Sequence, residues 1–377
     1  MTDPHHATPS GKKRARGLGV PFDGTPGPNN AITDVGDVAV GYSTIIEGDG
    51  PLVVGQGPVR TGVTAILPRG HAGVATPVFA GTFSLNGNGE LTGAIWVEES
   101  GACEGPITIT NTHSCGVARD ATIRWLVDRL GDATAQHWGL PVAGETYDGT
   151  LNDINGFHVT VKHVLEAIDG AAGGPIEQGS VGGGTGMIAY DFKGGSGSAS
   201  RVVAVGGTDY TVGVFVQANF GMRRELTIAG APVGRHIAGN EIRSTPGGSI
   251  IAIVATDAPL LPHQCKRLAR RVGLGVGRSG SISHNASGDI FLAFSTANAD
   301  ALATAPGARA ADFLPNDALN PIFEAVVQAT DEAIIDSMVA NETMTGRDGT
   351  TVIALPHARL LEVLAAHGRS ADQEGRP

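Results

Sequence analysis

The stretch that most limits what this chain can fold into is Thr245-Pro246-Gly247-Gly248-Ser249, running straight into Ile250-Ile251-Ala252-Ile253-Val254-Ala255-Thr256-Asp257. Its first part is turn chemistry: proline fixes φ, and two glycines admit backbone angles that strain other residues. Its second part is apolar or β-branched up to the closing Asp257, the pattern of a strand buried in a core. Ser249 therefore stands where a tight turn enters a core strand. The residues allow two readings. In one, a glycine-rich loop feeds a strand and Ser249 is merely its last polar residue. In the other, the Gly248–Ser249 peptide is held ready to be cut. Ser249 Oγ then attacks the Gly248 carbonyl, and Ser249 gains a free α-amine with a pKa of about 7.7–8.0. Such an amine is a general base attached to its own nucleophile.

The rest of the chain supplies a β-rich frame with helices both between and after strands. Residues 38–46, 63–67, 77–85, 93–98 and 107–113 read as short strands, most of them bounded by Gly, Pro or Asn. Several are apolar on consecutive positions, which implies burial on both faces. Helical spacing appears over 116–130 and over 160–168, with Thr160 as N-cap. Further strands are expected at 187–192, 199–205, 210–216 and 290–295, with 194–200 a flexible turn. Helices are expected at 261–274, at 320–340 with Asn320 as cap, and at 356–367. The cationic run Lys266, Arg267, Arg270 and Arg271 on the first of these reads as a solvated face. Residues 1–16 are polar and basic with no apolar core, so a disordered tail is expected there, and a second tail over 369–377. Between them, 17–368 reads as a single domain, a layered sandwich with sheets inside and helices outside. At 377 residues, 41% hydrophobic and 17% charged, the chain can fill a large core.

Charge and motif content exclude several function classes. A net charge of −11 argues against nucleic acid and against an anionic membrane surface. No run of eighteen apolar residues is present, so no membrane-spanning helix is expected. Cys103, Cys115 and Cys265 are odd in number and widely spaced, which favours a reducing, cytoplasmic setting over a disulfide framework. No HExxH or paired cysteine suggests a metal, and no cofactor is expected. The glycines of 179–187 lack the lysine of a phosphate loop and read as close backbone packing. Those of 275–280 follow a helix, the wrong context for a dinucleotide. No G-x-S-x-G is present. What remains is polar residues beside apolar strands: Asn219 at the end of a strong strand, able to donate to an oxyanion; Glu145 and Tyr147 in what reads as one loop; and Ser287 with Asp289 opening the 290–295 strand. Each is a turn residue if taken singly. Together with Ser249 they supply a nucleophile, donors and carboxylates.

At this point the chain resembles the DmpA/BapA type, the self-processing β-peptidyl aminopeptidases and L-aminopeptidase/D-esterases. The blocks that carry the likeness include Pro21-Phe22-Asp23-Gly24-Thr25-Pro26-Gly27-Pro28-Asn29-Asn30, Leu85-Asn86-Gly87-Asn88-Gly89-Glu90, Val181-Gly182-Gly183-Gly184-Thr185-Gly186-Met187, Val216-Gln217-Ala218-Asn219-Phe220-Gly221 and Gly247-Gly248-Ser249. The resemblance implies an αββα sandwich like that of N-terminal-nucleophile hydrolases, with its own strand connectivity. It implies self-cleavage between Gly248 and Ser249 into segments 1–248 and 249–377. It also implies assembly into oligomers, often tetramers, and substrates that are small peptides or amino-acid amides and esters. By this likeness Ser249 is the nucleophile, and Asn219 and Tyr147 steady the oxyanion. Ser287 and Asp289 form a polar pair near the new amine, and Glu145 holds the substrate's free amino group. Asp289 stands where some β-peptide-cleaving members carry Glu. Two other readings are an acyltransferase of the ornithine acetyltransferase type, whose nucleophile is Thr, and an unprocessed, non-catalytic binding protein.

Overall fold

The computed structural model describes residues 3–131, 138–302 and 306–369. In chain order the elements are β1 (Ala39–Glu47), β2 (Val59–Leu67), β3 (Val78–Gly87), α1 (Ala94–Ser100), β4 (Ala102–Cys103), β5 (Ile107–Asn111), α2 (Cys115–Leu130), β6 (Ala143–Thr146) and α3 (Val161–Asp169). They continue with β7 (Ile188–Ala189), β8 (Phe192–Lys193), β9 (Gly195–Val205), β10 (Thr208–Asn219), α4 (Val233–His236), β11 (Gly248–Thr256), α5 (Pro262–Arg278), β12 (Ser287–Ser295), α6 (Asn320–Val339), β13 (Met344–Thr345), β14 (Thr351–Val352) and α7 (His357–Ala366).

Two sheets carry the architecture: one of four strands in the order β1-β2-β5-β6, and one of six in the order β4-β3-β12-β11-β10-β9. Strand alternation sorts their side chains into three apolar layers. Ile250, Ala252 and Val254 of β11 pack with Leu268, Val272, Val326 and Ile334 of α5 and α6. Ile251, Ile253 and Ala255 of the same strand meet Val40, Ile66, Ile107 and Ile109 of the smaller sheet. Beyond that sheet, Val63 and Ala65 of β2 pack with Ala118, Trp125, Val164 and Ile168 of α2 and α3. The result is a four-layer αββα sandwich, and β11 is central to it. All six residues 250–255 have no accessible surface, as the unbroken apolar run requires.

The helices fall close to their expected places. Thr160 caps α3, but the cap of α6 is Leu319, with Asn320 already inside the helix. Two strand expectations and two loop expectations are corrected. Residues 93–98 form α1, because their apolar run is too short for periodicity to separate strand from helix; Ala94 and Val97 turn inward and Ile95 is left 90% exposed. The loop expected to carry Glu145 begins as a strand, since β6 pairs in parallel with β5 (Thr110 opposite Glu145) despite its poor β-formers. The expected strand over 187–192 is a tight hairpin of β7 and β8, turned through Tyr190 and Asp191, both with positive φ. The stretch 194–200, read as a flexible turn, is buried strand β9. Its small residues let α6 lie directly on it, and a Cβ on Gly197 would sit 1.9 Å from the Ala333 carbonyl oxygen. The glycines of 179–187 do pack close to backbone, with Gly179 against the Ala340 carbonyl and Gly184 against the Ser196 nitrogen, while Gly182 and Gly183 are buried against the Thr64 and Gln217 side chains.

The expected N-terminal tail is also corrected from residue 3 onward. Arg14 and Ala15 are buried, Arg14 pairs with Asp336 at 2.7 Å, and Arg16 pairs with Glu332 at 2.7 Å. Arg201 reaches the same Glu332, also at 2.7 Å. Arg14 and Arg16, expected in a disordered tail, are counter-ions for two carboxylates on the sheet-facing side of α6. The expected C-terminal tail lies, after residue 369, outside the described residues. Cys103, Cys115 and Cys265 are free and buried. Among the described residues no helix is long and apolar enough to cross a membrane. Because Arg14 and Asp336 are both nearly inaccessible, Arg14→Ala leaves a buried carboxylate unpaired. It should cost about 3–5 kcal/mol in urea-induced unfolding, whereas a mobile tail would give no change.

Candidate active site

Two ladders hold Ser249. It lies opposite Asn219 on the antiparallel neighbour β10 and opposite Gly288 on the parallel neighbour β12. The serine is 6% exposed. Its hydroxyl donates to the Gly248 carbonyl oxygen at 2.6 Å and accepts from the Gly288 N–H at 3.3 Å. The Oγ thus rests on the carbonyl of its own preceding peptide. Gly248 reaches this placement with φ 138°, and a Cβ there would lie 2.3 Å from the Asn219 carbonyl oxygen. Only glycine fits that backbone at that separation.

Asn219 is fixed at both ends of its amide. Oδ1 accepts from the Ile188 N–H at 2.9 Å and from Arg243 Nη2 at 3.2 Å, and Nδ2 donates to the Tyr147 carbonyl at 2.8 Å. These partners decide which end is nitrogen. Tyr147 follows directly on β6. Its backbone meets Asn219, while its half-exposed phenol folds over its own loop, where a Cβ on Gly149 would lie 2.4 Å from Oη.

Ser287 and Asp289 sit at the head of β12, in register with Gly248 and Ile250. Ser287 Oγ donates to Asp289 Oδ1 at 2.6 Å. Alternation turns both toward the helix layer that Ile250 faces, whereas Ser249 and Asn219 face the other sheet. Asp289 is fully buried, and its Oδ2 has no partner. Burial pushes its carboxyl above the ordinary range, against hydrogen bonds from Ser287, Ser283 and the Ile250 N–H.

Glu145 comes from the smaller sheet and is 3% exposed. Oε1 accepts from the Glu90 N–H at 2.9 Å, and Thr112 supplies a hydroxyl. Burial again raises the carboxyl, more than these bonds lower it. Gly89 separates this acid from Gly288, the ladder neighbour of Ser249. A Cβ on it would lie 3.1 Å from Glu145 Oε1 and 3.5 Å from Gly288 Cα. Glu145, Gly89 and Gly288 therefore lie side by side where β6 approaches the heads of β11 and β12. Sequence reasoning did not single out Arg243, Thr112 or the Gly288 N–H. The last two carry no sequence signal, being a backbone group and one threonine among many.

A buried serine at the head of a central strand in an αββα sandwich defines the class, a variant of the Ntn-hydrolase fold. The L-aminopeptidase D-Ala-esterase/amidase of Ochrobactrum anthropi, a solved structure described as such a variant and as a prototype of serine aminopeptidases, is similar with a TM-score of 0.89. It is 48% identical, covering 95% of this chain and 99% of that one. The chain belongs to peptidase family S58, whose model matches residues 30–352. It is 54% identical to the β-peptidyl aminopeptidase BapA of Sphingosinicella microcystinivorans over 95% of this chain and 93% of that one. A β-aminopeptidase from a Burkholderia species is 44% identical with a TM-score of 0.84, over 97% of this chain and all of that one.

The backbone geometry before Ser249 gives a direct test. Gly248→Ala should slow any conversion of the full-length chain to fragments by at least about tenfold, the effect of 1.4 kcal/mol of misplacement. Intact mass over time measures it, and conversion at the wild-type rate would show that the contact is incidental.

Proposed function

We propose that the chain is a self-processing serine aminopeptidase and amidase, releasing N-terminal residues from small peptides, amides and esters. The observation that carries this reading is the Ser249 hydroxyl lying on the Gly248 carbonyl, between Asn219 and Gly288. Oγ attacks the Gly248 carbonyl carbon and the Gly248–Ser249 C–N bond breaks. The hydroxyl proton ends on the Ser249 nitrogen, leaving an ester. Water then hydrolyses the ester to a Gly248 carboxylate and a Ser249 that carries both hydroxyl and amine. With substrate, that amine takes the Oγ proton and Oγ attacks the scissile carbonyl. The proton passes to the leaving amine, and water releases the acyl group. The Asn219 amide and the Tyr147 phenol are assigned to the developing oxyanion, where losing one donor costs about 10²–10³ in rate. Ser287 and Asp289 are assigned to the new amine, since they stand in register with Gly248 and Ile250, the two residues flanking Ser249.

Glu145 is assigned to the substrate's ammonium, because it is buried and lies one glycine away from β12. The names of the relatives support free-amine substrates, with β-linked residues among them. We also assign a homo-oligomer, on the resemblance to the family, and a cytoplasmic setting, which the three buried free thiols support.

Wild-type protein should give segments 1–248 and 249–377 by intact mass and hydrolyse amino-acid p-nitroanilides. Ser249→Ala should remain full-length and inactive; normal fragments from that variant would exclude Ser249. Glu145→Gln should lower kcat/KM for free-amine substrates by about 10- to 100-fold, the worth of a hydrogen bond to a charged group. Equal wild-type cleavage of N-acylated substrates would exclude the anchor. Because the working base is a neutral amine, kcat/KM should rise with pH through about 7.7–8.0. Because burial raises the Glu145 carboxyl, substrate affinity should fall on acidification at a pH above the ordinary glutamate range. A kcat/KM–pH profile reads the first sign and a KM–pH profile the second.

A further inference from the structure

Outside the residues already assigned, one cation is aimed at the peptide to be cut. Arg243 stands five residues before Gly248, and the intervening Ser244, Thr245 and Pro246 loop out into solvent. The side chain turns back beneath this loop. Nη1 donates to the carbonyls of Gly221 and Gly247, each at 3.2 Å. Nη2 donates to the Ile188 carbonyl at 2.9 Å, to the Asn219 carbonyl at 3.1 Å and to Asn219 Oδ1 at 3.2 Å. The guanidinium therefore serves five oxygens and, in these contacts, no carboxylate. Its backbone is anchored separately, as Asp191 Oδ1 accepts from the N–H groups of Arg243 at 2.9 Å and Ile242 at 3.3 Å.

We propose that Arg243 is a positioning residue for self-cleavage, tying the neck of the precursor loop so that the Gly248 carbonyl is presented to Ser249 Oγ. Two of its contacts do this work. The bond to the Gly247 carbonyl fixes the residue just ahead of the scissile peptide, where two adjacent glycines would otherwise leave the backbone loose. The bond to Asn219 Oδ1, added to that from Ile188, prevents the amide from flipping, so its N–H groups stay on the side of Tyr147. A planar fork with several fixed donors can serve this many oxygens at once, which a lysine cannot. The inference rests on self-cleavage at Gly248–Ser249.

The test follows the full-length chain by intact mass for wild type, Arg243→Ala and Arg243→Lys. Wild type should be consumed. Arg243→Ala should persist as precursor, cleaving more slowly by about 10- to 100-fold, with Arg243→Lys between the two because it restores charge without the fork. Each variant is also made on a Ser249→Ala background, where a cooperative melt like that of Ser249→Ala alone shows that the precursor is folded. If Arg243→Ala fails to fold, Arg243→Lys decides by the same measure. A folded variant that cleaves at the wild-type rate overturns the proposal while leaving the Ser249 chemistry intact. A wild type that stays whole removes the self-cleavage reading and this proposal with it.

Discussion

The pairing of β11 with β10 on one side and β12 on the other is the constraint on which the site depends. One ladder sets Asn219 beside Ser249 and the other sets Gly288 there. A slip of one residue in either would turn the apolar set of β11 from one core to the other, and every side chain with it. Both faces of β11 are buried, in different layers, so no such slip is tolerated. The same packing that makes the fold therefore specifies the position of one hydroxyl.

Around that hydroxyl the electrostatics are unbalanced. Glu145 and Asp289 are buried, each is pushed toward its neutral form, and one Asp289 oxygen has no partner. An unsatisfied buried carboxylate costs stability, and such groups cluster where chemistry is done. In the proposed function the imbalance is relieved by the substrate's ammonium at Glu145 and by the amine made at Ser249. Donors are by contrast fixed in advance. The Asn219 amide is held at both ends before anything binds, as an electrostatically preorganised site requires.

Most of this fold can be read from the sequence wherever burial is two-sided or helical spacing is long. The run 250–255, the long helix over 320–339 and the strand ending at Asn219 all declare themselves by composition. Reading fails where tertiary contact outweighs local preference. Ala143–Thr146 has little to mark it as a strand until β5 is beside it, and Gly195–Ser200 looks loose until α6 lies on it. The basic N-terminal residues read as a disordered tail because their partners, Glu332 and Asp336, are more than three hundred residues away. Of the proposed site, Ser249, Gly248, Asn219, Tyr147, Glu145, Ser287 and Asp289 can be named from the sequence and the family likeness. Their mutual geometry cannot, and Arg243 is invisible because its partners are mainly backbone carbonyls.

The ion pairs under α6 have a consequence for a chain broken after residue 248. Arg14, Arg16 and Arg201 belong to the leading piece, while Glu332 and Asp336 belong to the trailing one. Strands β10 and β11 likewise come from opposite sides of the break yet share one sheet. Severing the backbone there removes connectivity but not shape: the two polypeptides stay interlocked as a single body, clasped by buried charge and by the ladder that runs across the cut.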